Sequence, residues 1–491
     1  MIVTRRQFLR ASGLAAAGGA LLGRAGAPAR AAATDARKPN VILIMADDCG
    51  YELFKAYGGK SHRTPVLDRL ADEGIMFEHC YATPLCTPTR VSIMTGKYNH
   101  RNYTEFGRFP KADERRTFGN MMKQAGYATC MAGKWQLKGV KASRMGFDAH
   151  MQCDCWGGYW ATANIHANDK PFEVAKPTYR PDIVNRFVLD FIQANRDRPF
   201  FVYYPMFLIH HPEQPSPDHP DKALIEKCKR VGREEMHEKS VFPDMVTYMD
   251  KLVGKVVRKL DELGIREKTV LMFTGDNGTC VHRAVVNGRS VGGGKGSMRD
   301  SGTRVPLIVN WPGTSRPAVL DDLVDITDFY ATFADLAGVR LPPPLWASGA
   351  RADTSANALD AIDGVSFLPQ LQGKPGTPRK WAFVLFDRNG CVKWRQCLRK
   401  GESPPTDRRQ GAFWARTERW KLYGDGRLFD VRSDLGERKP ILPAADTPET
   451  AAVRKELAVV FGKLAISQDD LITFDEYKRK MQGKLDGGKG T

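Results

Sequence analysis

The chain has 491 residues, 42% of them hydrophobic and 26% charged, which is enough for a large core and more than one domain. Lysine and arginine number 74 against 56 acidic residues, so the formal net charge is +18 and anionic partners are favoured. Basic residues interleaved with aromatics form no long block, which argues against a nucleic-acid-binding protein.

The first 33 residues have the composition of an export signal rather than of a folded domain. Arg5 and Arg6 precede a short Ala/Gly/Leu run, and Ala31, Ala32 and Ala33 form a small-residue cleavage site. The paired arginines resemble the twin-arginine signal, which exports proteins already folded. We predict a signal peptide over 1–33 and a periplasmic or secreted protein. An uncleaved anchor is disfavoured, because this apolar stretch is too short and glycine-rich for a stable membrane span.

Short apolar runs alternate with helical patterns through the middle of the chain. Strands are predicted at 41–45, 200–204, 270–273 and 306–309, and helices at 64–74, 86–96, 183–194 and 245–263. Runs that are apolar on both faces are typical of parallel strands covered by helices. We therefore predict an α/β domain over 34–375, with a large mixed, mostly parallel sheet sandwiched by helices.

The pattern changes near residue 376, after a Pro/Ala/Ser/Asp-rich surface connection at 341–361. Short strands are predicted at 381–386, 412–417, 420–423 and 427–431, followed by a helix over 448–464. We predict a smaller C-terminal α+β domain with an antiparallel sheet over 376–491.

Acidic residues follow two of the predicted buried strands. Asp47 and Asp48 close the first strand, and Asp276 and Asn277 follow the strand at 270–273. Ligands gather at the carboxyl ends of parallel strands, so these side chains can form one all-oxygen cation site. Such a site suits Ca²⁺, with Mg²⁺ as the alternative that demands stricter geometry. Separate helix caps or turns are the simpler alternative for each pair.

The segment CTPTR places the thiol of Cys86 at the start of a predicted helix. Unpaired amides and the helix dipole favour an anion there. Arg90 lies one helical turn further on and can point back at the same site. A buried cysteine beside a surface arginine is the simpler alternative.

Several motifs, in order from Pro39 to about Val431, resemble the type I sulfatases of the alkaline phosphatase superfamily. The family signature C-[ST]-P-x-R, continuing into S-x-x-T-G, stands here as CTPTRVSIMTG. The opening strand is VILIMADDCGY, the metal motif is TGDNG, and the lysine motif is GGGKGSMRDSGTRVP. The resemblance implies an alkaline phosphatase-like fold and hydrolysis of sulfate esters. It also implies that a formylglycine-generating enzyme oxidises Cys86 to formylglycine before export.

The resemblance further implies a role for each matched residue. In the family the formylglycine hydrate attacks sulfur with one hydroxyl and expels sulfate with the other. Lys134 and Lys295 would bind sulfate oxygens, and Arg90 would anchor the formylglycine. His210 would protonate the leaving alkoxide or bind the sulfate, with His211 as a bystander. The cation ligands would be Asp47, Asp48, Cys86 in its modified form, Asp276 and Asn277.

One position departs from the family pattern. The family usually has G-K-W-H-L-G, whereas this chain has GKWQLK, so Gln136 replaces a histidine that helps to deprotonate the formylglycine. Glutamine can bind substrate through hydrogen bonds but cannot act as a base. Either turnover is slow, or His100 or His282 takes over this role.

Two other functions stay open at this point. Formylglycine-dependent phosphonate or phosphodiester hydrolases resemble the chain, but they typically carry Asp-His where it has Asp276-Asn277. An inactive binder of sulfated polymer is supported only by the glutamine at 136. The basic, exported character favours a sulfated carbohydrate as substrate. Trp156, Tyr159 and Trp160 either stack on its sugar rings or belong to the core.

Overall fold

The structure is a computed structural model. It describes residues 38–103, 106–153, 158–160, 165–174, 178–230, 238–347, 361–386, 412–464 and 466. The signal peptide predicted over 1–33, Trp156 and most of the connection at 341–361 lie outside these residues.

A ten-stranded sheet forms the centre of the larger domain. The strands of this domain, including the separate hairpin β9–β10, are β1 (Asn40–Ala46), β2 (Ile75–Tyr81), β3 (Ala128–Gly133), β4 (Ala149–Cys153), β5 (Ile165–Ala167), β6 (Lys170–Pro171), β7 (Phe200–Pro205), β8 (Thr269–Gly275), β9 (Arg283–Val286), β10 (Arg289–Gly292), β11 (Arg304–Asn310) and β12 (Ala318–Asp325). The strand order of the sheet is β12-β2-β11-β8-β1-β7-β3-β4-β5-β6, and five of the nine neighbouring pairs are parallel. The predicted mixed, mostly parallel sheet is therefore confirmed.

Helices cover both faces of this sheet because its central strands are apolar on both sides. In β1, Ile42 and Ile44 pack in one core with Val188, while Val41 and Leu43 pack in the other. A slip of one residue would exchange these faces, so the two cores fix the register of β1. The helices, with those of the C-terminal part, are α1 (Pro65–Asp72), α2 (Cys86–Thr95), α3 (Asn99–Asn102), α4 (Phe118–Gln124), α5 (Arg180–Ala194), α6 (Lys222–Arg230), α7 (Phe242–Glu262), α8 (Asp300–Thr303), α9 (Asp328–Ala337), α10 (Leu368–Leu371) and α11 (Pro448–Lys463). None of these helices combines the length and apolarity needed to cross a bilayer.

The strand predicted at 306–309 forms as β11, but it is antiparallel to both of its neighbours, β2 and β8. A parallel connection from β8 would need a crossover, usually a long helix. The connection at 276–303 instead contains only the β9–β10 hairpin and the one-turn helix α8. The chain therefore re-enters the sheet at the same edge at which β8 ends, and β11 runs antiparallel to β8.

A second, four-stranded sheet forms the C-terminal part, as predicted. Its strands β13 (Ala382–Phe386), β14 (Ala412–Arg416), β15 (Trp420–Tyr423) and β16 (Leu428–Asp430) pair antiparallel in that order. On one face, Leu457 of α11 packs in a core with Phe413 and Leu422. On the other face, Trp414 packs with Tyr81, Met298 and Leu323 of the larger domain. The boundary between residues 375 and 376 stays a prediction.

Candidate active site

The two predicted acidic pairs meet at one edge of the large sheet. Strand β1 lies between β8 and β7 and runs parallel to both, so their carboxyl ends point the same way. The backbone N–H of Asp48 donates to Oδ1 of Asp276 at 3.0 Å. Asn277 Nδ2 donates to Oδ1 of Asp48 at 2.9 Å. Two loops that are far apart in sequence are thereby joined by side-chain hydrogen bonds.

Helix α2 brings Cys86 and Arg90 to this edge. A ligand atom of Cys86 lies within 4.8 Å of carboxylate oxygens of Asp47 and Asp276. The Arg90 guanidinium donates to Asp276 Oδ2 at 2.8 Å and to the carbonyl of Lys134 at 3.1 Å. Arg90 is 1% exposed, so the alternative of a surface arginine is wrong.

Two lysines lie against the carboxylates. Lys134 Nζ is 2.6 Å from Oδ2 of Asp47, and Lys295 Nζ is 2.6 Å and 2.7 Å from the two carboxylate oxygens of Asp48. Both ammonium groups therefore pair with oxygens that the sequence assigns to a cation. A divalent cation and the two lysines compete for the same negative charge.

The oxygen donors at this edge fit a hard divalent cation. Oδ1 of Asp47 and Oδ1 of Asn277 are buried and have no hydrogen-bond partner. Leaving such an atom unsatisfied costs about 1–3 kcal/mol, so an ion that binds oxygen would stabilise both. Carboxylate and amide oxygens are the ligands that Ca²⁺ and Mg²⁺ take in proteins. Asp47, Asp48, Asp276 and Asn277 would hold the ion, with the side chain at 86 next to it.

The charges of the cluster point to an anionic ligand once a cation is bound. Burial and the charge of Asp47 raise the pKa of Asp276 to about 6 despite Arg90, because the acids crowd one another. Three carboxylates face the cationic side chains of Arg90, Lys134 and Lys295, so the charges balance. A divalent cation would leave a net positive charge, which suits a sulfate ester.

The encoded thiol is a poor nucleophile where it lies. Burial, only partly offset by the charge of Lys134, raises the pKa of the Cys86 thiol. Reactive cysteines have a lowered pKa, since the thiolate is the attacking form. The environment of Cys86 therefore argues against direct thiol chemistry and is consistent with conversion to another group.

The imidazole of His210 is neutral in this setting. Burial, together with the charges of Lys134 and Lys295, lowers its pKa well below the usual value despite the opposing effect of Asp48. Nδ1 lies 2.6 Å from the carbonyl oxygen of His211, which can only accept, so Nδ1 carries the proton. Nε2 is then unprotonated, 3.8 Å from Oδ2 of Asp48.

Gln136 differs in its surroundings from His100 and His282, the two histidines that could take over the role of the missing base. Gln136 has a left-handed backbone with φ +46°, and its Oε1 is buried without a partner. Nε2 of His282 lies 2.6 Å from Oε1 of Glu213, and its ring stacks on Phe242. His100 packs against Tyr98 and Phe383. Among the described residues, neither histidine belongs to the groups of possible metal ligands around Cys86.

The stacking of Tyr159 and Trp160 on sugar rings is contradicted. Both are buried, and the Tyr159 hydroxyl bonds the carbonyls of Phe207 and His210 at 2.8 Å and 2.5 Å. Trp160 Nε1 donates to the carbonyl of Pro215 at 3.0 Å. These rings therefore belong to the core, and their hydrogen bonds hold the loop that carries His210.

A contact that the sequence did not predict fixes the loop carrying Lys295. The carbonyl of Met298 accepts from Lys421 Nζ at 2.8 Å, Trp414 Nε1 at 2.9 Å and the Tyr423 hydroxyl at 3.1 Å. The N–H of Gly296 donates to the carbonyl of Pro84 at 2.8 Å, just before Cys86. The C-terminal sheet therefore supports both the lysine loop and the start of α2.

Loss of the Lys421 ammonium is expected to lower the free energy of unfolding by about 3–5 kcal/mol in Lys421→Met, because it removes the ion-pair partner of the buried Glu437 carboxylate. Urea unfolding measures this change. The control is Arg419→Met, which removes an exposed guanidinium paired with Asp430 and Glu449 and should lower the free energy of unfolding far less. Equal losses in both variants would contradict the role given to the buried contact.

Comparison with known proteins identifies the family. The profile of the Sulfatase family matches residues 39–339. The chain belongs to the sulfatase family. N-acetylgalactosamine-6-sulfatase of Sus scrofa is 31% identical, over 91% of this chain and 88% of that protein. Arylsulfatase A of Homo sapiens is 28% identical, over 89% and 90% of the two chains.

A solved structure supports the same fold. A protein determined in complex with its substrate D-glucosamine-2-N,6-O-disulfate superposes with a TM-score of 0.68 at 21% identity. The superposition covers 88% of this chain and 99% of that one. The predicted family and fold are confirmed, and this sulfatase is a sulfuric ester hydrolase.

Proposed function

We propose that this sulfatase removes sulfate from carbohydrates with a formylglycine made from Cys86 beside a bound Ca²⁺, or Mg²⁺ as the alternative. The observation that carries the proposal is the position of the Cys86 thiol beside Asp47 and Asp276. Two buried oxygens without hydrogen-bond partners, on Asp47 and Asn277, lie on the residues predicted to bind the cation. The raised pKa of the thiol favours its conversion over direct use.

The side chains around this centre have separate tasks. Bound together, the cation and the aldehyde hydrate supply an acidified oxygen nucleophile and a second hydroxyl. Arg90 fixes Asp276 through its 2.8 Å hydrogen bond and offsets negative charge. Lys134 and Lys295, whose ammonium groups lie against the carboxylates, bind the sulfate oxygens. Each such donor contributes about 2.7–4 kcal/mol to stabilising the transition state.

His210 is proposed to serve the leaving alkoxide. Its Nε2 is unprotonated while burial, together with the charges of Lys134 and Lys295, holds the pKa of the imidazole down. An anionic substrate offsets the charges of the two lysines and raises the pKa of the imidazole, which favours uptake of a proton from solvent at Nε2. That proton can then pass to the alkoxide oxygen as the ester bond breaks.

A sulfated carbohydrate is the proposed substrate class. The Sus scrofa relative is named for a sulfated amino sugar, and the solved structure described above contains a sulfated glucosamine. The net positive charge of this chain would steer a sulfated saccharide towards the site. We also propose that a formylglycine-generating enzyme acts first, and that the twin-arginine signal over 1–33 then exports the folded enzyme to the periplasm or the medium.

The function is tested with an aryl sulfate and an aryl phosphonate that share one leaving group. Enzyme co-produced with the generating enzyme and loaded with Ca²⁺ should give the higher kcat/KM on the sulfate. A preference for the phosphonate would favour the phosphonate hydrolase. No turnover of either ester by converted enzyme would favour the inactive binder. A panel of sulfated monosaccharides and oligosaccharides then identifies the sugar and the sulfated position.

Restoring the histidine of the family should speed the release of sulfate. Gln136→His is expected to raise that rate at least about tenfold, because a positioned base contributes roughly 10²–10⁴-fold. Rapid-quench measurement of sulfate release gives the rate, and Gln136→Asn is the control that adds no base. An unchanged rate would mean that this step already has a base. Loss of release in His100→Ala or His282→Ala would identify it.

A further inference from the structure

His211 and Cys280 have no part in the proposed mechanism, yet they lie beside it. A ring nitrogen of His211, the sulfur of Cys280 and a carboxylate oxygen of Asp48 all lie within 4.8 Å of one another. The three residues follow β7, β8 and β1, which are neighbours in the large sheet. The fold therefore brings one sulfur, one nitrogen and one oxygen donor together in the same way that it gathers the predicted calcium ligands.

The chemistry of these donors differs from that of the calcium site. Thiolate and imidazole are soft or borderline ligands that favour zinc and its heavier relative cadmium, whereas calcium takes oxygen alone. Three protein ligands with one open position are the usual donor count of an accessible zinc site. Of the free cysteines in the described ranges, Cys280 is the partly exposed one, while the other six are buried. His211 is also partly exposed, so a metal ion can reach both side chains.

We propose that Asp48, His211 and Cys280 form a second metal site, selective for Zn²⁺ or Cd²⁺, whose occupation inhibits the sulfatase. The Cys280 thiol loses its proton to solvent as the metal–sulfur bond forms. The effect on activity rests on the proposed function, whereas binding of the metal does not.

Inhibition follows from the sharing of Asp48. Its carboxylate oxygens are 2.6 Å and 2.7 Å from the ammonium of Lys295, and Nε2 of His210 is 3.8 Å from Oδ2. A metal bound to this carboxylate displaces the ammonium and weakens the neighbouring calcium site. It also repels Lys295 and a protonated His210, the groups assigned to the sulfate and the leaving alkoxide. The rings of His210 and His211 stack at 4.2 Å, so metal binding at His211 also restrains His210.

The metal site is tested first without reference to activity. Calcium-loaded, converted enzyme is titrated with Cd²⁺, and the ultraviolet charge-transfer absorption of the cadmium–thiolate bond is recorded. The band should appear in the wild type and in Cys228→Ser, which removes a buried thiol elsewhere. It should be lost in Cys280→Ser and need more cadmium in His211→Gln, but not in His166→Gln, which changes an exposed histidine. A band of wild-type strength in Cys280→Ser would overturn the site.

The inhibition is tested next, with Zn²⁺ and an aryl sulfate. Cys280→Ser should keep wild-type activity without zinc. Its half-inhibiting zinc concentration should rise more than about tenfold, since even a hydrogen bond supporting a ligand is worth 10–100-fold in affinity. Equal inhibition of the wild type and Cys280→Ser would place the zinc effect at the calcium site and overturn the proposal. An enzyme that turns over no sulfate but loses its cadmium band in Cys280→Ser would contradict the proposed function and keep the metal site.

Discussion

Cys86→Ala is expected to lower kcat/KM for an aryl sulfate by at least about 10⁴-fold, the scale on which loss of a nucleophile acts. The side chain at 86 lies beside Asp47 and Asp276, and no other residue supplies the attacking oxygen in the proposed mechanism. Initial rates over a range of substrate concentrations, with saturating Ca²⁺, measure the change.

Two companion variants make the result specific to position 86. Cys80→Ala removes another buried thiol, in β2, and should change kcat/KM only a few-fold. Cys86→Ser keeps an oxygen nucleophile but lacks the second hydroxyl, so it should stop after one turnover with sulfate attached to the serine. Similar activity in Cys86→Ala and Cys80→Ala would show that residue 86 is not the nucleophile.

Lys295→Met should separate catalysis from cation binding, with opposite effects on the two. Activity should fall about 10²–10³-fold, because one donor to the transition state is lost. Affinity for Ca²⁺ should rise at least about tenfold, since the ammonium that pairs with both oxygens of Asp48 no longer competes with the cation. Lys134→Met, which frees Asp47, should behave in the same way.

Calorimetric titration with Ca²⁺ and steady-state kinetics measure the two effects on the same protein. Lys259→Met is the control, because Lys259 pairs with Glu262 on the surface of α7, and both effects should be absent. A Lys295→Met enzyme that loses calcium affinity together with activity would mean that the lysine supports the site structurally and does not compete with the ion.

The elements that the sequence predicted well are those with a strong local pattern. Strands β1, β7 and β8 are apolar on both faces, and all their residues are buried. Helix α2 has Pro88 in its first turn and is followed by Gly96, whose left-handed φ of +66° favours glycine. The direction of β11 was not predicted, because orientation depends on the connection and leaves no mark on the strand itself.

The part of the site that could be predicted also has a strong local pattern. Short motifs at strand or helix ends contain Asp47, Asp48, Cys86, Asp276 and Asn277, so these residues could be assigned to one site from the sequence. The support of Met298 by Lys421 joins residues 123 positions apart, and no periodicity or spacing indicates it. Tyr159 and Trp160 were ambiguous because aromatic side chains that brace a loop and those that bind sugars look alike in sequence.

The mass of the tryptic peptide 70–90 tests the proposed chemistry most directly. This peptide carries both Cys80 and Cys86, so after alkylation the first serves as an internal standard for an unmodified thiol. In enzyme co-produced with a formylglycine-generating enzyme, we expect residue 86 to escape alkylation and to have exchanged one sulfur and two hydrogens for one oxygen. Arylsulfatase activity should rise in proportion to the converted fraction. Full activity in a preparation whose residue 86 is entirely alkylated cysteine would contradict the formylglycine mechanism.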